Sequence, residues 1–194
     1  MRKLLAVCTL LGVAACASQQ QTAMTDAQKK ALGDSVKAVA TGMVDAMNKG
    51  DMTSGYTMYS TSASARYVEN GMTYPNVDAM KKMSADMGPA MESMHIALDA
   101  VDDVVLGPDA VLITSPFHMT AKVRGKPEWK GQGVWSGVFQ RNGGKWEIIS
   151  THESVQHPDQ MMAAMTPVPA KKGAAKPAAA PAKKPAAKST TKKK

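Results

Sequence analysis

The stretch STHESVQH, residues 150–157, places His152, Glu153 and His157 within six residues. A helix bearing His-Glu-x-x-His holds a catalytic metal because its histidines, four apart, share one face and the glutamate serves as base. Here the histidines are five apart, and the flanking pattern is that of a strand, where an odd separation sends them to opposite faces. His95 and His118 are isolated and offer no better spacing. Met80, Met83, Met87, Met91 and Met94 raise a second metal chemistry, since Cu(I) prefers soft thioether ligands. Their spacing is that of one helical face, with no compact Met-x-Met cluster, and reads as core packing. Neither a metal site nor a cofactor is expected.

Acid/base chemistry needs a titratable group in an apolar pocket beside a polar group that orients it. Glu153, Glu69, His118, Tyr59 and Tyr67 have suitable side chains. Each also has a purely structural reading: tyrosine hydroxyls satisfied by backbone, Trp135 as core, His152 on a surface or dimer face.

The elements that would carry these residues follow from periodicity. Val36, Val39, Ala40, Met43, Val44 and Met47 recur at helical spacing, predicting an amphipathic helix over 34–47. Asn48-Lys49-Gly50 stops it, and Asp51 can cap a short second helix carrying Tyr56 and Tyr59. Asn70-Gly71 predicts a hairpin turn between segments bearing Tyr67 and Tyr74. A further helix is predicted over 77–91, then strands over 95–106, 111–123, 132–141 and 145–155, the last two joined by Asn142-Gly143-Gly144. Three helices and a four-strand antiparallel meander make the class α+β. Asp99, Asp102 and Asp103 are expected near a strand end or in solvent.

Both ends differ in composition from the middle. The first residues have a cationic start at Arg2 and Lys3, an apolar run and small residues before Cys16, which is a signal peptide too short to span a membrane. Val13-Ala14-Ala15-Cys16 resembles the bacterial lipobox, which implies lipid on Cys16, a bacterial cell-envelope location and membrane attachment. Ala17 and Ser18 follow with no aspartate, which by the same resemblance implies the outer membrane, facing the periplasm. Removal of Cys8 with the leader would exclude disulfides, thiolate metal sites and a cysteine nucleophile.

At the other end, residues 167–194 are nearly all Ala, Pro and Lys, with nine lysines from Lys171 to Lys194. Such a segment cannot bury a core and should be extended. The formal charge of +8 belongs to the ends: 17–166 holds thirteen basic and sixteen acidic residues, a net of −3. Lysine-proline-alanine tails resemble those of linker histones, but behind a lipobox the available polyanions are envelope polymers and headgroups rather than nucleic acid. A solvated spacer is the other reading of the same tail. The expected division is 1–15 leader, 16–29 linker, 30–160 folded domain and 161–194 tail.

Four segments carry a wider resemblance: AMNKGD at 46–51, VENG in the hairpin, GPDAVLIT at 107–114 and GVFQRNGGKWEIISTHES at 137–154. Together they resemble the nuclear transport factor 2-like superfamily, with its SnoaL-like cyclases, ketosteroid isomerase and kinase association domain, over about residues 30–157. The resemblance implies a cone in which a curved antiparallel sheet wraps three helices around a pocket, often in a homodimer. In the kinase association domain a pocket arginine follows the matching histidine, and that position here is Glu153. Alternation agrees, placing Trp135, Gly137 and Phe139 on one face of their strand and Ile149, Thr151, Glu153 and Val155 on one face of the next, unless a bulge shifts the phase. The expected ligand pocket therefore comprises Tyr59, Tyr67, Trp135, Phe139 and Glu153.

This scaffold carries isomerases, cyclases and plain binding modules, so fold does not set function. No residue-by-residue match to the tyrosine and two aspartates of ketosteroid isomerase is present. The first reading is a binding domain for a small apolar or amphipathic ligand or a protein partner. Its rival is a SnoaL-like isomerase, cyclase or hydrolase using Glu153 or His118 as base. Nucleic-acid binding through the tail is the third.

Overall fold

The computed structural model describes residues 23–167; the leader with Cys16 and the lysine tail from 168 lie outside the described residues. Helix α1 (Asp26–Asn48) begins inside the segment expected to be linker. The signal is a capping box: the Thr25 hydroxyl accepts from Gln28 N at 3.2 Å while Gln28 Oε1 accepts from Thr25 N at 2.8 Å. Val36, Ala40, Met43, Val44 and Met47 form its buried face. After a short α2 (Met52–Gly55) and a 3₁₀ turn at Tyr56–Met58, strands β1 (Arg66–Glu69) and β2 (Met72–Tyr74) make the hairpin. Its turn has Asn70 at φ 51° and Gly71 at φ 81°, both left-handed, as two-residue hairpin turns require.

Helix α3 (Val77–Met87) is shorter than the expected 77–91. Pro89 has no N–H to continue the ladder, and Gly88–Ala90 forms a single 3₁₀ turn. Met91 and Met94 therefore open strand β3 (Met91–Leu98) instead of extending a helical stripe. The strand expected over 95–106 is likewise two strands, β3 and β4 (Asp102–Gly107), and both lie along one side of β5 (Ala110–Val123). The break between them faces Pro116, whose carbonyl accepts from Asp99 N at 2.9 Å and which has no N–H to offer on that side.

Strands β5, β6 (Trp129–Asn142) and β7 (Lys145–Val155) form an antiparallel centre, and the order across the sheet is β2-β1-β7-β6-β5-β3. The sheet is mixed, not purely antiparallel as expected, because β1 runs parallel to β7. The register places Tyr67 beside Thr151 and Glu69 beside Glu153. A bulge between Val138 and Phe139 pairs Phe139 with Ile148, so Ile148 is the buried residue and not Ile149 as the alternation predicted. The phase is restored at Ser150, and Thr151, Glu153 and Val155 face inward as expected.

The core lies between the helices and the inner sheet face, around Val36, Tyr67, Met80, Ile113, Phe139 and Ile148. Tyr67 is fully buried and donates to the carbonyls of Ser60, at 2.6 Å, and Ile148, at 3.1 Å. A last helix, α4 (Pro158–Met165), follows His157 and buries Met161, so the folded chain runs past the expected limit at 160. Helix α1 is tied to β3 by Asn48, whose Nδ2 donates to Ile96 O at 2.8 Å and whose Oδ1 accepts from Ile96 N at 2.7 Å. The side-chain amide thus stands where a neighbouring strand's peptide would.

Asn48→Ala removes both partners of one partly buried peptide unit. Urea unfolding should show a loss of roughly 1–3 kcal/mol with an unchanged m-value.

Candidate functional site

A cavity of about 840 Å³ opens between α1, α3, α4 and the inner face of the sheet. Twelve methionines line it, among them Met43 and Met47 on α1, Met83 and Met87 on α3, and Met161 and Met162 on α4. The methionine spacing read as core packing therefore also forms a cavity wall. Unbranched thioethers have three rotatable bonds and polarizable sulfur, so such a wall fits varied apolar shapes. Trp135 closes one side with its ring over Gly137, where a Cβ would come within 2.3 Å of the indole.

Two carboxylates share one end of this apolar space. Glu69 and Glu153 are register partners on the parallel pair β1 and β7, so both side chains leave the same sheet face, and both line the cavity. Asn70 orients the pair from the hairpin turn. Its Nδ2 donates to Glu153 Oε1 at 3.0 Å, its Oδ1 accepts from Val155 N at 3.0 Å, and its own N–H donates to Glu153 O at 2.9 Å. Tyr56, Tyr59 and Tyr74 line the same cavity, with Tyr56 and Tyr59 in edge contact at 5.4 Å between ring centroids. The Tyr56 hydroxyl bonds Ser84 Oγ at 2.8 Å, and that of Tyr74 donates to Met83 Sδ at 2.8 Å.

Burial, and then the charge of Glu153, push the Glu69 carboxyl up to about 8. Burial also raises Glu153, opposed by the hydrogen bond from Asn70. Glu69 therefore holds its proton at neutral pH, and the amide at its oxygen makes Glu153 the better carboxylate of the two. Burial and the nearby Glu69 lift Tyr56 to about 12 and Tyr59 well above the ordinary phenol range. Tyr74 is lifted to about 12 by the same two causes. These three hydroxyls therefore stay protonated at neutral pH. An acid, a base and hydroxyl donors around an apolar volume can hold an amphipathic molecule or move a proton on it.

The residues singled out in the sequence divide cleanly. Tyr59, Trp135 and Glu153 line the cavity, whereas Tyr67 and Phe139 lie beneath it in the core and do not reach its surface. Phe139 packs edge-on to Trp135 at 6.2 Å, and the Tyr67 hydroxyl is already spent on two carbonyls. His118 is on the opposite face of β5, exposed, with its Nδ1 2.7 Å from Asp99 Oδ1, so it is no pocket base. His152 also faces outward, and His157 sits in a left-handed conformation as the N-cap of α4. Asp103 lies at the start of β4, one of the two positions expected for it, where it pairs with Lys37 at 2.6 Å and is partly exposed. Asn70 read as a turn residue only, and Tyr56, Tyr74 and the α4 methionines were not placed at the site. Glu69, an acid/base candidate from the sequence, does line the cavity beside Glu153.

Glu69 carries a pH signature. Its carboxyl rises from 4.5 to about 8 on folding, so the folded state holds the proton more tightly. Stability is thus full below about 4.5, declines as pH rises, and levels off past about 8. With allowance for partial exposure the span is roughly 2–4 kcal/mol. Thermal melts from pH 5 to 9 should show this decline, flattened in Glu69→Gln, which is more stable than the parent at pH 9.

Comparison with known proteins agrees with this architecture. A family model described as a SnoaL-like domain matches residues 36–158. No curated protein sequence matches the chain. Among solved structures, one provisionally named a scytalone dehydratase, from Novosphingobium aromaticivorans, superposes with a TM-score of 0.61 at 7% identity, covering 68% of this chain and 89% of that one. A hexachlorocyclohexane dehydrochlorinase from Novosphingobium barchaimii gives 0.58 at 12% identity, covering 69% and 92%. A protein of the nuclear transport factor 2-like family from Streptomyces avermitilis, provisionally named a dehydratase, gives 0.56 at 21% identity, covering 65% and 96%. At these identities the likeness is one of fold. The mixed sheet, the helices over its inner face and the family match over most of the folded residues together place this chain in the SnoaL-like domain family, with a fold shared with the nuclear transport factor 2-like structures.

Proposed function

We propose that this SnoaL-like domain is a receptor for a small, largely apolar molecule. In this reading lipid on Cys16 holds it at the bacterial outer membrane, facing the periplasm, and the lysines from Lys171 to Lys194 contact anionic envelope polymers. The observation that carries the receptor reading is the cavity of about 840 Å³ with its methionine lining, a volume within the range of small-molecule sites. A sheet that served only as a partner-binding surface would have no need of such a space, and filling it would stabilise the fold.

A second reading has its own observation. The Glu69 and Glu153 pair, in which burial favours the neutral acid at Glu69 and the Asn70 amide favours the carboxylate at Glu153, is the equipment of a proton-transfer enzyme. Glu153 would take a proton from the bound molecule and Glu69 or a tyrosine hydroxyl would give one to a departing or developing oxygen. The solved structures with dehydratase and dehydrochlorinase names lend the scaffold precedent for eliminations, by analogy alone.

The test is retention of a ligand by the full chain purified in mild detergent, read by native mass spectrometry, together with binding of an environment-sensitive apolar dye. Met87→Glu puts a carboxylate into the cavity wall and should weaken dye binding at least about tenfold while leaving the far-UV spectrum unchanged. Unaltered dye binding in that variant, with nothing retained by the parent, would sink the receptor reading. If the retained molecule is converted on incubation and Glu153→Gln retains it unconverted, the enzyme reading replaces the receptor. Palmitate incorporation should be lost in Cys16→Ser, and salt should weaken association with anionic vesicles.

A further inference from the structure

We propose that the molecule seated in the cavity is a protonated alkylamine, its apolar body among the methionines and its ammonium group between Glu69 and Glu153. The inference rests on the receptor reading and names its ligand class.

The two carboxylates are neighbours by strand register and open on the same volume. Among the described residues neither takes part in an ion pair. Asn70 occupies one oxygen of Glu153, leaving the other free, and no hydrogen bond reaches the Glu69 carboxyl within the described residues. Tyr59 is only 6% exposed, and the polar group near its hydroxyl is the Trp135 indole, which can only donate. That end of the cavity therefore has carboxyl oxygens that no cation of the described residues meets, beside aromatic faces of negative potential. An ammonium group supplies up to three donors and one positive charge, the complement of that set.

Competing occupants fit less well. A fatty acid would bring a third carboxylate against two that already repel. A neutral alcohol would bring no charge to meet the two buried carboxyl groups. A hard divalent cation takes six or more oxygen ligands, and among the described residues no third carboxylate or histidine joins these two. Among the described residues Lys49 is the one basic side chain on the lining and is exposed, and Glu92 also lines the cavity, so the formal charge of these lining residues is negative. Thioether walls suit an unbranched or irregular hydrocarbon.

Near pH 7 the free Glu69 carboxyl, pushed up to about 8, holds a proton. The arriving ammonium keeps its own protons, the carboxyl proton leaves to solvent, and the complex holds two carboxylates and one cation. Binding should therefore tighten as pH rises from 6 towards 8 and release up to one proton per ligand.

The experiment is isothermal titration of the full-length protein in mild detergent with decylammonium, 1-decanol and decanoate, in two buffers of different ionisation enthalpy. The expected result is decylammonium at least about tenfold tighter than 1-decanol, decanoate weakest, and proton release with the amine alone. The double variant Glu69→Gln, Glu153→Gln should bring amine affinity down to that of the alcohol and abolish the proton release. Equal affinity for amine and alcohol, or amine binding without proton release by the parent protein, would overturn the amine inference and leave the receptor reading standing. No binding by any of the three would overturn both. Proton release is read on the parent protein, so the inference is decided even if the double variant does not fold.

Discussion

The parallel pairing of β1 with β7 is the constraint on which the site depends. A four-residue strand has little to hold it, and this one is anchored at both ends. Tyr67 donates its hydroxyl to two carbonyls in the core, and Asn70 makes three hydrogen bonds around Glu153 and Val155. The register that results aligns Glu69 with Glu153 on one face. A slip of one residue would turn Glu69 outward and Tyr67 out of the core. Core packing and the carboxylate pair are thus fixed by the same few bonds.

Placing two carboxylates in a space walled by thioethers and aromatic rings opposes folding, and the domain tolerates this because the rest of the inner face is densely apolar. Protonation relieves the repulsion, which ties stability, charge and the state of the cavity to the same pH range. The methionines affect the site differently. They give the wall little shape of its own, so selectivity must come from the polar end, where Asn70 and the tyrosines hold the geometry.

Much of the architecture was legible. Helical spacing gave the buried face of α1, the Asn70-Gly71 turn was where the dipeptide indicated, and the resemblance to the kinase association domain, with which alternation agrees, implied that Glu153 faces inward. The errors have local causes. Gly88-Pro89 was read through when it should have stopped α3, and the Thr25 to Gln28 capping box was passed over as polar linker. The short helix of Met and Ala after Pro158 was merged with the Ala-rich tail that follows. The bulge at Phe139 moved Ile148 inward, a shift that no period can announce. His118 failed as a candidate because alternation along β5 puts it opposite Phe117, with Asp99 waiting outside.

What the sequence determined by itself is local. Caps, turns and alternation depend on residues a few positions apart, and so the class and most element positions follow from them, with the family resemblance supplying which face Glu153 takes. Only the tertiary structure decided that Glu69 and Glu153, 84 positions apart, stand side by side. It also decided that methionines from α1, α3, β3 and α4 close around one volume. Strand order and parallel pairing are set by packing of the whole inner face, which no short window of sequence contains.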